Sequence, residues 1–501
     1  MSDRDSSSPS DRRAARFSRR GALLLGGGAV AGAALTAGGF GVGDLFANRG
    51  SSAPAAAATP PAQLSRYVST MVTAPRISVW RKPGTSTAPG LFFATPRVSG
   101  FQGLITDNDG EPIWIEPDGR SVTDLRVQQY RGEPVLTYWS GTLDGGHGLG
   151  AGTILDTSYR VIAQVRAGHG LQSDLHEFEL TPQGTALVTS YPTVTADLTS
   201  MKGPKNGRMY GCRIQEIDIA SGAVLLDWHA AQHVDITESY QHVADSGTDA
   251  NPYDPYHLNA ASLDGDDAVL ISSRHTHTIY SVDRNTGTTR WRLGGRKSDF
   301  AIASDATFAW QHHARRLSDG RISMFDNQYK TGTTGVSSGL YLNVNESAKT
   351  ATLSKRLEYA DHLSTAEGSN TLLDDGHVFI GWGDIPYATE FDSAGTAIWE
   401  ASGLGDSSYR AFRQAWDATP QAAPAVVVDG GTAYVTWNGA TGVLKWRFSS
   451  GESADALTVL ATVDRAGFET SLALPSGAKA VGVEALDAAG AVIGHAARTL
   501  A

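Results

Sequence analysis

Apolar residues between roughly positions 65 and 415 come in short runs, most of them ended by a turn that carries glycine. One pattern recurs. A strand-like run is followed by a second run of the form apolar-Asp-x-x-x-Gly-x-x-x-Trp. Its clearest copies span Ile217 to His229, Ser281 to Gly295 and Glu390 to Gly403. Weaker copies span Ile105 to Pro117, Ile154 to Gly168 and Leu342 to Tyr359. The Asp and Gly at the bend are hairpin chemistry, because Asp bonds its own backbone and Gly takes a positive φ.

Further strands lie between these hairpins, beginning at Leu91, Pro134, Thr185, Ala268, Arg321 and His377. The copies make six units at intervals of roughly fifty to sixty residues, with about four strands in each. That period predicts an all-β fold, a six-bladed β-propeller over residues 63–418; the uneven spacing leaves five or seven blades open. One unit alone could not bury both faces of its sheet, whereas a closed ring can. After Pro420 the chain alternates apolar and polar residues between glycine-rich turns. This predicts a small immunoglobulin-like β-sandwich over residues 419–501, with no sign of chemistry in it.

Residues 1–62 stand apart. Arg12, Arg13, Arg16, Arg19 and Arg20 form a basic region, and Ser18 to Leu24 resembles a twin-arginine export signal. No charge follows from Gly21 to Val42, and Ala55 to Ala58 offers a small-residue cleavage site before a Pro/Ala-rich linker. Cleavage predicts a mature protein beginning near Ala58; retention of residues 21–42 as a membrane anchor is the competing reading. Either way the twin-arginine machinery is the expected partner, and the protein is secreted or held in the cell envelope. A net charge of -11 without a basic cluster beyond the N-terminus argues against a nucleic-acid partner. The single cysteine, Cys212, excludes an intramolecular disulfide and reads as a small buried side chain.

Candidate chemistry gathers between Tyr253 and Asn327. His257-x-Asn259, Arg274-His275-x-His277 and Gln311-His312-His313-x-Arg315 lie there, with His176-Glu177 one unit upstream. Singly, each histidine reads as a structural one bonded to backbone. In a propeller, however, innermost strands converge on the axis, and His176, His257, Asn259, Arg274 and His312 occupy comparable places ahead of or along such strands. The set therefore predicts one anion-handling site. His275 and His277 are expected to face the neighbouring blade, and Phe325-Asp326-Asn327 to serve a turn or strand end. A zinc site is the main alternative. Against it stand the nearby arginine and the lack of a helical His-x-x-x-His or a carboxylate companion in the motifs.

The same motifs, with Trp291-Arg292-Leu293-Gly294-Gly295 and the segment Thr436 to Thr441, resemble the arylsulfotransferase (aryl-sulfate sulfotransferase) family. The resemblance covers most of the chain. It implies transfer of a sulfuryl group from a phenolic sulfate to another phenol, through a transiently N-sulfurylated histidine. It implies no cofactor, no metal and no nucleotide donor. By motif, His312 takes the nucleophile's role, His257 and Asn259 bind sulfuryl oxygens, Arg274 is the channel arginine, and His176 assists. His313 and Arg315 follow as substrate-binding residues. Two departures mark a divergent branch: His313 stands where an acidic residue is common, which leaves open which of the pair is the nucleophile, and the cysteine pair of periplasmic members is absent. The competing readings are an extracellular binding propeller for a sugar or protein, and hydrolytic or lyase chemistry on the same scaffold.

Overall fold

The computed structural model describes residues 63–328 and 335–500. Nearly all regular structure in them is strand, as the sequence pattern predicts. Among the described residues the longest helix is the four-residue Ala230–His233. The export signal, its cleavage site and the stretch 21–42 lie outside the described residues.

Among those residues, six largely antiparallel sheets of four or five strands follow one another. The first runs from Ser408–Gln414 through Leu91–Pro96 and Leu104–Thr106 to Pro112–Ile115. The second runs from Val122–Tyr130 to Val161–Val165, the third from Phe178–Leu180 to Val224–His229, and the fourth from Leu258–Leu263 to Thr289–Gly294. The fifth begins at His312–Arg316 and includes one short parallel edge, Ala301–Ile302. The sixth begins at Ser369–Leu372 and carries Ser78–Arg81 on its far edge. Strands from opposite ends of the chain thus share two sheets: Leu91 pairs with Gln414, and Trp80 with Glu400.

Side-chain alternation assembles these sheets. Every residue of Ala268–Ser273 is buried. Val269 and Ile271 join Ile214 and Trp228 of the third sheet, whereas Leu270 joins Ile322 and Met324 of the fifth. Successive side chains leave a strand on opposite faces, so a strand covered on both sides reads as an unbroken apolar run. The relation repeats. Phe178 meets Ile154, Tyr341 meets Val378, Phe379 meets Phe92, and Phe93 meets Leu136. Apolar clusters therefore join each sheet to the next and the sixth back to the first. The connecting turns use the predicted chemistry: Asp283 accepts from the backbone of Asn285 and Thr286, and Gly287 closes the bend at φ +70°.

Beyond Pro420 a three-stranded sheet, with Thr432–Thr436 at its centre, faces a four-stranded one built on Lys445–Ser453. Val435, Trp437, Trp446, Phe448 and Val483 fill the space between them. The segment Thr436 to Thr441 fastens this tail to the first sheet. The Asn438 side chain accepts from Ile115 N at 2.9 Å and donates to Ile115 O at 2.8 Å, and Tyr159 donates to Gly439 O.

Candidate active site

Five residues occupy the same place in five of the six sheets, at or just before one edge strand of the sheet. His176 precedes Phe178–Leu180, His257 precedes Leu258–Leu263, His312 opens its strand, Glu367 precedes Ser369–Leu372, and Tyr409 lies at the start of Ser408–Gln414. All five line one cavity of ≈ 220 Å³. Phe101, Leu143, Leu175 and Ala366 give it an apolar wall, Gly145 and Gly146 form a hairpin tip at its edge, and Arg97 adds a cation.

Buried partners hold each histidine. His176 Nδ1 is 2.5 Å from Asp174 Oδ1, and His257 Nδ1 is 2.6 Å from Asp254 Oδ2. Burial pushes the Asp254 carboxyl up, but His257, His275 and His147 outweigh it and hold the group well below the usual carboxylate range. Asp174 stays low for a similar reason, with His176 the main opposing charge. His257 itself is driven well below the ordinary imidazole value, because burial outweighs its Asp254 partner. Both carboxylates can accept an N–H, so each ring keeps its proton on Nδ1 and turns Nε2 away from the carboxylate.

His312 is fixed differently. Its Nδ1 is 2.7 Å from Asn327 Oδ1, and the Asn327 amide nitrogen in turn donates to Ser364 O and Glu367 O. Those donations orient the amide, so Asn327 presents its oxygen and His312 Nδ1 must carry the hydrogen. His312 Nε2 therefore holds a lone pair, and it accepts a 3.2 Å bond from the Glu367 backbone N–H. Burial, then the Arg274 charge, keeps this ring neutral, well below the ordinary imidazole value.

Arg274 is buried beside the cavity. It donates to His275 Nε2 at 2.7 Å and to Thr365 O at 2.8 Å, and its guanidinium lies over Trp310. Its positive charge acts on both His257 and His312. His275 Nδ1 donates to Asp254 O, and His277 stacks on Tyr240. Asn259 is fully buried, bonds Gln311 O, and leaves Oδ1 without a partner among the described residues.

His313 and Arg315 are not in this cavity. They line a second pocket with Arg126, Gln128, Glu179 and Phe412. The cause is a bulge. Strand register slips between His312 and Arg315, and His313 sits at φ +52°. Simple alternation would have sent one of the two histidines into the sheet; the extra residue instead turns both toward open space on different pockets. A buried ion network includes residues from both sides: Arg410 binds Asp124, Glu177 and the carbonyls of His176 and Asn259. Arg315 Nη2 is committed to Glu177 at 2.8 Å.

Carboxylate companions, missing from the sequence motifs, are present in the fold as Asp174 and Asp254. Ligand atoms of His147, Asp254 and His257 lie within 4.8 Å of one another, a spacing open to a metal ion. Asp254 Oδ2 is hydrogen-bonded to both rings, at 2.6 Å to His257 Nδ1 and 3.1 Å to His147 Nε2. Donors held at about 2.1 Å around tetrahedral zinc sit about 3.4 Å apart. Asp254 and His257, at 2.6 Å, stand at hydrogen-bond distance.

The arylsulfotransferase (ASST) family matches residues 126–403, more than half of the chain. The chain belongs to the arylsulfotransferase family. The matched span of this arylsulfotransferase family member contains His176, His257, Arg274, His312, Asn327 and Glu367. No curated protein matches the sequence. Among solved structures the chain is similar to a protein of unknown function from Bacteroides caccae, at 13% identity over 65% of this chain and 98% of that one, TM-score 0.39. It is also similar to a protein of unknown function from Dyadobacter fermentans, at 12% identity over 79% and 99%, TM-score 0.36. A third is virginiamycin B lyase from Staphylococcus aureus, at 10% identity over 72% and 94%, TM-score 0.33.

Proposed function

We propose that this protein transfers a sulfuryl group from an aryl sulfate to a phenol by a two-step route through sulfo-His312. One observation carries the reading. His312 has its Nδ1 hydrogen fixed by Asn327 and lines, with its Nε2 side unprotonated, a largely apolar cavity. A neutral imidazole so held is a competent nucleophile and forms an N–S bond labile enough to be passed on. Sulfuryl transfer, like phosphoryl transfer, passes through a loose in-line transition state with charge on peripheral oxygens. His176 and His257 face those oxygens, and each has a carboxylate behind it ready to support a protonated ring when the anion arrives. Arg274 supplies positive charge from the side. Phe101, Leu143 and Leu175 suit an aryl ring.

In the same reading the six cyclically joined sheets form a six-bladed propeller, with the tail as a small sandwich beside it. The twin-arginine signal delivers the protein outside the cytoplasm. Replacing Arg19 and Arg20 with Lys should block that export.

The test is mass spectrometry of protein exposed to 4-nitrophenyl sulfate without acceptor. One added sulfuryl group on His312, absent in His312→Ala, is the expected result. No covalent label in the unsubstituted protein would sink the sulfo-histidine route and favour the non-catalytic binding propeller.

A further inference from the structure

We propose that Glu367 is the acid and base that moves the phenolic proton: it protonates the departing oxygen of the donor and takes the proton of the acceptor. The inference rests on the sulfo-His312 reading and adds a catalytic residue that the histidine and arginine motifs do not contain.

Position comes first. The backbone N–H of Glu367 is 3.2 Å from His312 Nε2, so its side chain starts next to the attacking atom. Glu367 lines the same ≈ 220 Å³ cavity as His176, His257 and His312. Its backbone is held at φ +64°, a conformation that side-chain-bearing residues adopt at a cost and keep only where the surroundings enforce it. The carboxyl is buried with the Ser407 hydroxyl beside it, yet Oε2 has no well-formed hydrogen bond among the described residues. A buried carboxyl oxygen left unpaired costs free energy unless a ligand supplies the partner.

The protonation states agree with this placement. Burial, with the charge of Asp384 added and with Arg97 and the Ser407 hydroxyl opposing, pushes Glu367 up to about 8. The group therefore keeps its proton at neutral pH, as an acid catalyst must. In the sulfo-His312 reading the histidines and Tyr409 of the cavity have other roles, His176 and His257 turning Nε2 to the sulfuryl oxygens. His312 attacks as the neutral ring. His176 and His257 have Nδ1 bound to Asp174 and Asp254. Tyr409 donates its hydroxyl to His176 O and is pushed well above the ordinary phenol value.

The steps balance. In the first, the Nε2 lone pair of His312 leaves the Glu367 backbone N–H and forms the N–S bond while the bridging S–O bond breaks. The phenolic oxygen keeps that electron pair and takes the Glu367 proton, leaving as neutral phenol and leaving a carboxylate. In the second, the acceptor oxygen forms its bond to sulfur while its proton passes to Glu367. The N–S pair returns to Nε2, and both residues regain their starting states.

The test uses two donors that differ in how much their leaving oxygen needs a proton. Nitrophenolate leaves unaided, whereas unsubstituted phenolate does not. In the unsubstituted protein, sulfo-enzyme formation from phenyl sulfate should fall as pH rises through about 8, and formation from 4-nitrophenyl sulfate should not. Glu367→Gln should lose about 100-fold with phenyl sulfate, at least tenfold more than with 4-nitrophenyl sulfate, and should lack the alkaline fall. Equal losses for both donors, or an alkaline limb that survives in Glu367→Gln, would overturn the assignment. So would an unsubstituted protein with the same pH profile for both donors, a result independent of whether the variant folds. Failure to label His312 with either donor would instead remove the underlying route.

Discussion

Asn327 Oδ1 stands 2.7 Å from His312 Nδ1, and this contact, with the weaker 3.2 Å bond from Glu367 N–H to Nε2, leaves the lone pair on Nε2. Without it only the 3.2 Å bond from Glu367 N–H favours that tautomer, and the tautomer with Nε2–H has no lone pair to offer. Asn327→Ala should slow sulfo-enzyme formation by about 10- to 100-fold, the usual loss when a ring-orienting partner is removed. Donor affinity should change much less, since Asn327 is not among the cavity-lining residues. Single-turnover labelling across donor concentration separates the two effects. An unchanged rate constant would show that the ring needs no such anchor.

Asn327 also marks where the sequence stops being readable. Phe325-Asp326-Asn327 reads as a strand end, and it is one; nothing in that run says that the amide meets a histidine 15 positions earlier. The hairpin repeat was legible because turn chemistry is local. His176, His257 and His312 were legible because each precedes or opens an equivalent strand. Asp174 and Asp254 lie two and three residues before their histidines, a spacing that could have been seen. Glu367 stands at the equivalent place, ahead of Ser369–Leu372, but a lone glutamate there belongs to no motif that marks it. It sits between Gly368 and an ordinary loop, and only the cyclic order of the sheets brings it to His312. The bulge at His313 was hidden too, because alternation assumes an unbroken register.

Two adjacent histidines on two pockets give a clean discrimination. His312→Ala should abolish the covalent label. His313→Asp should leave labelling within about threefold, because His313 faces the other pocket and has Arg315, Arg410 and Arg126 nearby to accept a carboxylate. Peptide mapping of the sulfurylated protein reads the site directly. A label on His313, or a label that persists in His312→Ala, would transfer the nucleophile's role.

Acid should destabilise the fold at mild pH. Burial holds His257, His275, His312 and His313 well below 6.5, so the folded protein keeps them neutral. Above about pH 6.5 the unfolded chain is neutral at these positions too, and their contribution is fully present. Below that, the unfolded chain takes up protons that the folded one refuses, and stability falls by up to about 1.4 kcal/mol per pH unit for each histidine. Glu367 and His147, both raised, pull the other way, as do raised carboxyls such as Asp124, Asp326 and Asp384, while the lowered His233 and His362 add to the loss. Thermal unfolding should therefore move to lower temperature between pH 7 and pH 5.5. A midpoint that rises over that interval would mean that the four histidines are not held neutral.

The tail's attachment can be tested at one glycine. Gly439 has φ +102°, and a Cβ there would meet the Tyr159 ring at 2.4 Å. Gly430, in a turn of the same small sheet, also has positive φ, +54°, but a Cβ there meets nothing within 4 Å. Alanine at 430 carries only the backbone cost, about 1 kcal/mol. Alanine at 439 adds overpacking against a ring that is itself stacked on Trp114 and bonded to Gly439 O, for a total of about 2–4 kcal/mol. The ring cannot retreat without breaking that bond or leaving Trp114. Denaturant unfolding of Gly430→Ala and Gly439→Ala should show the second losing clearly more stability than the first. Equal losses would mean that Tyr159 yields easily and that other contacts, among them Asn438 with Ile115, Gly439 N with Ile113 O and Arg465 with Pro112 O, hold the tail.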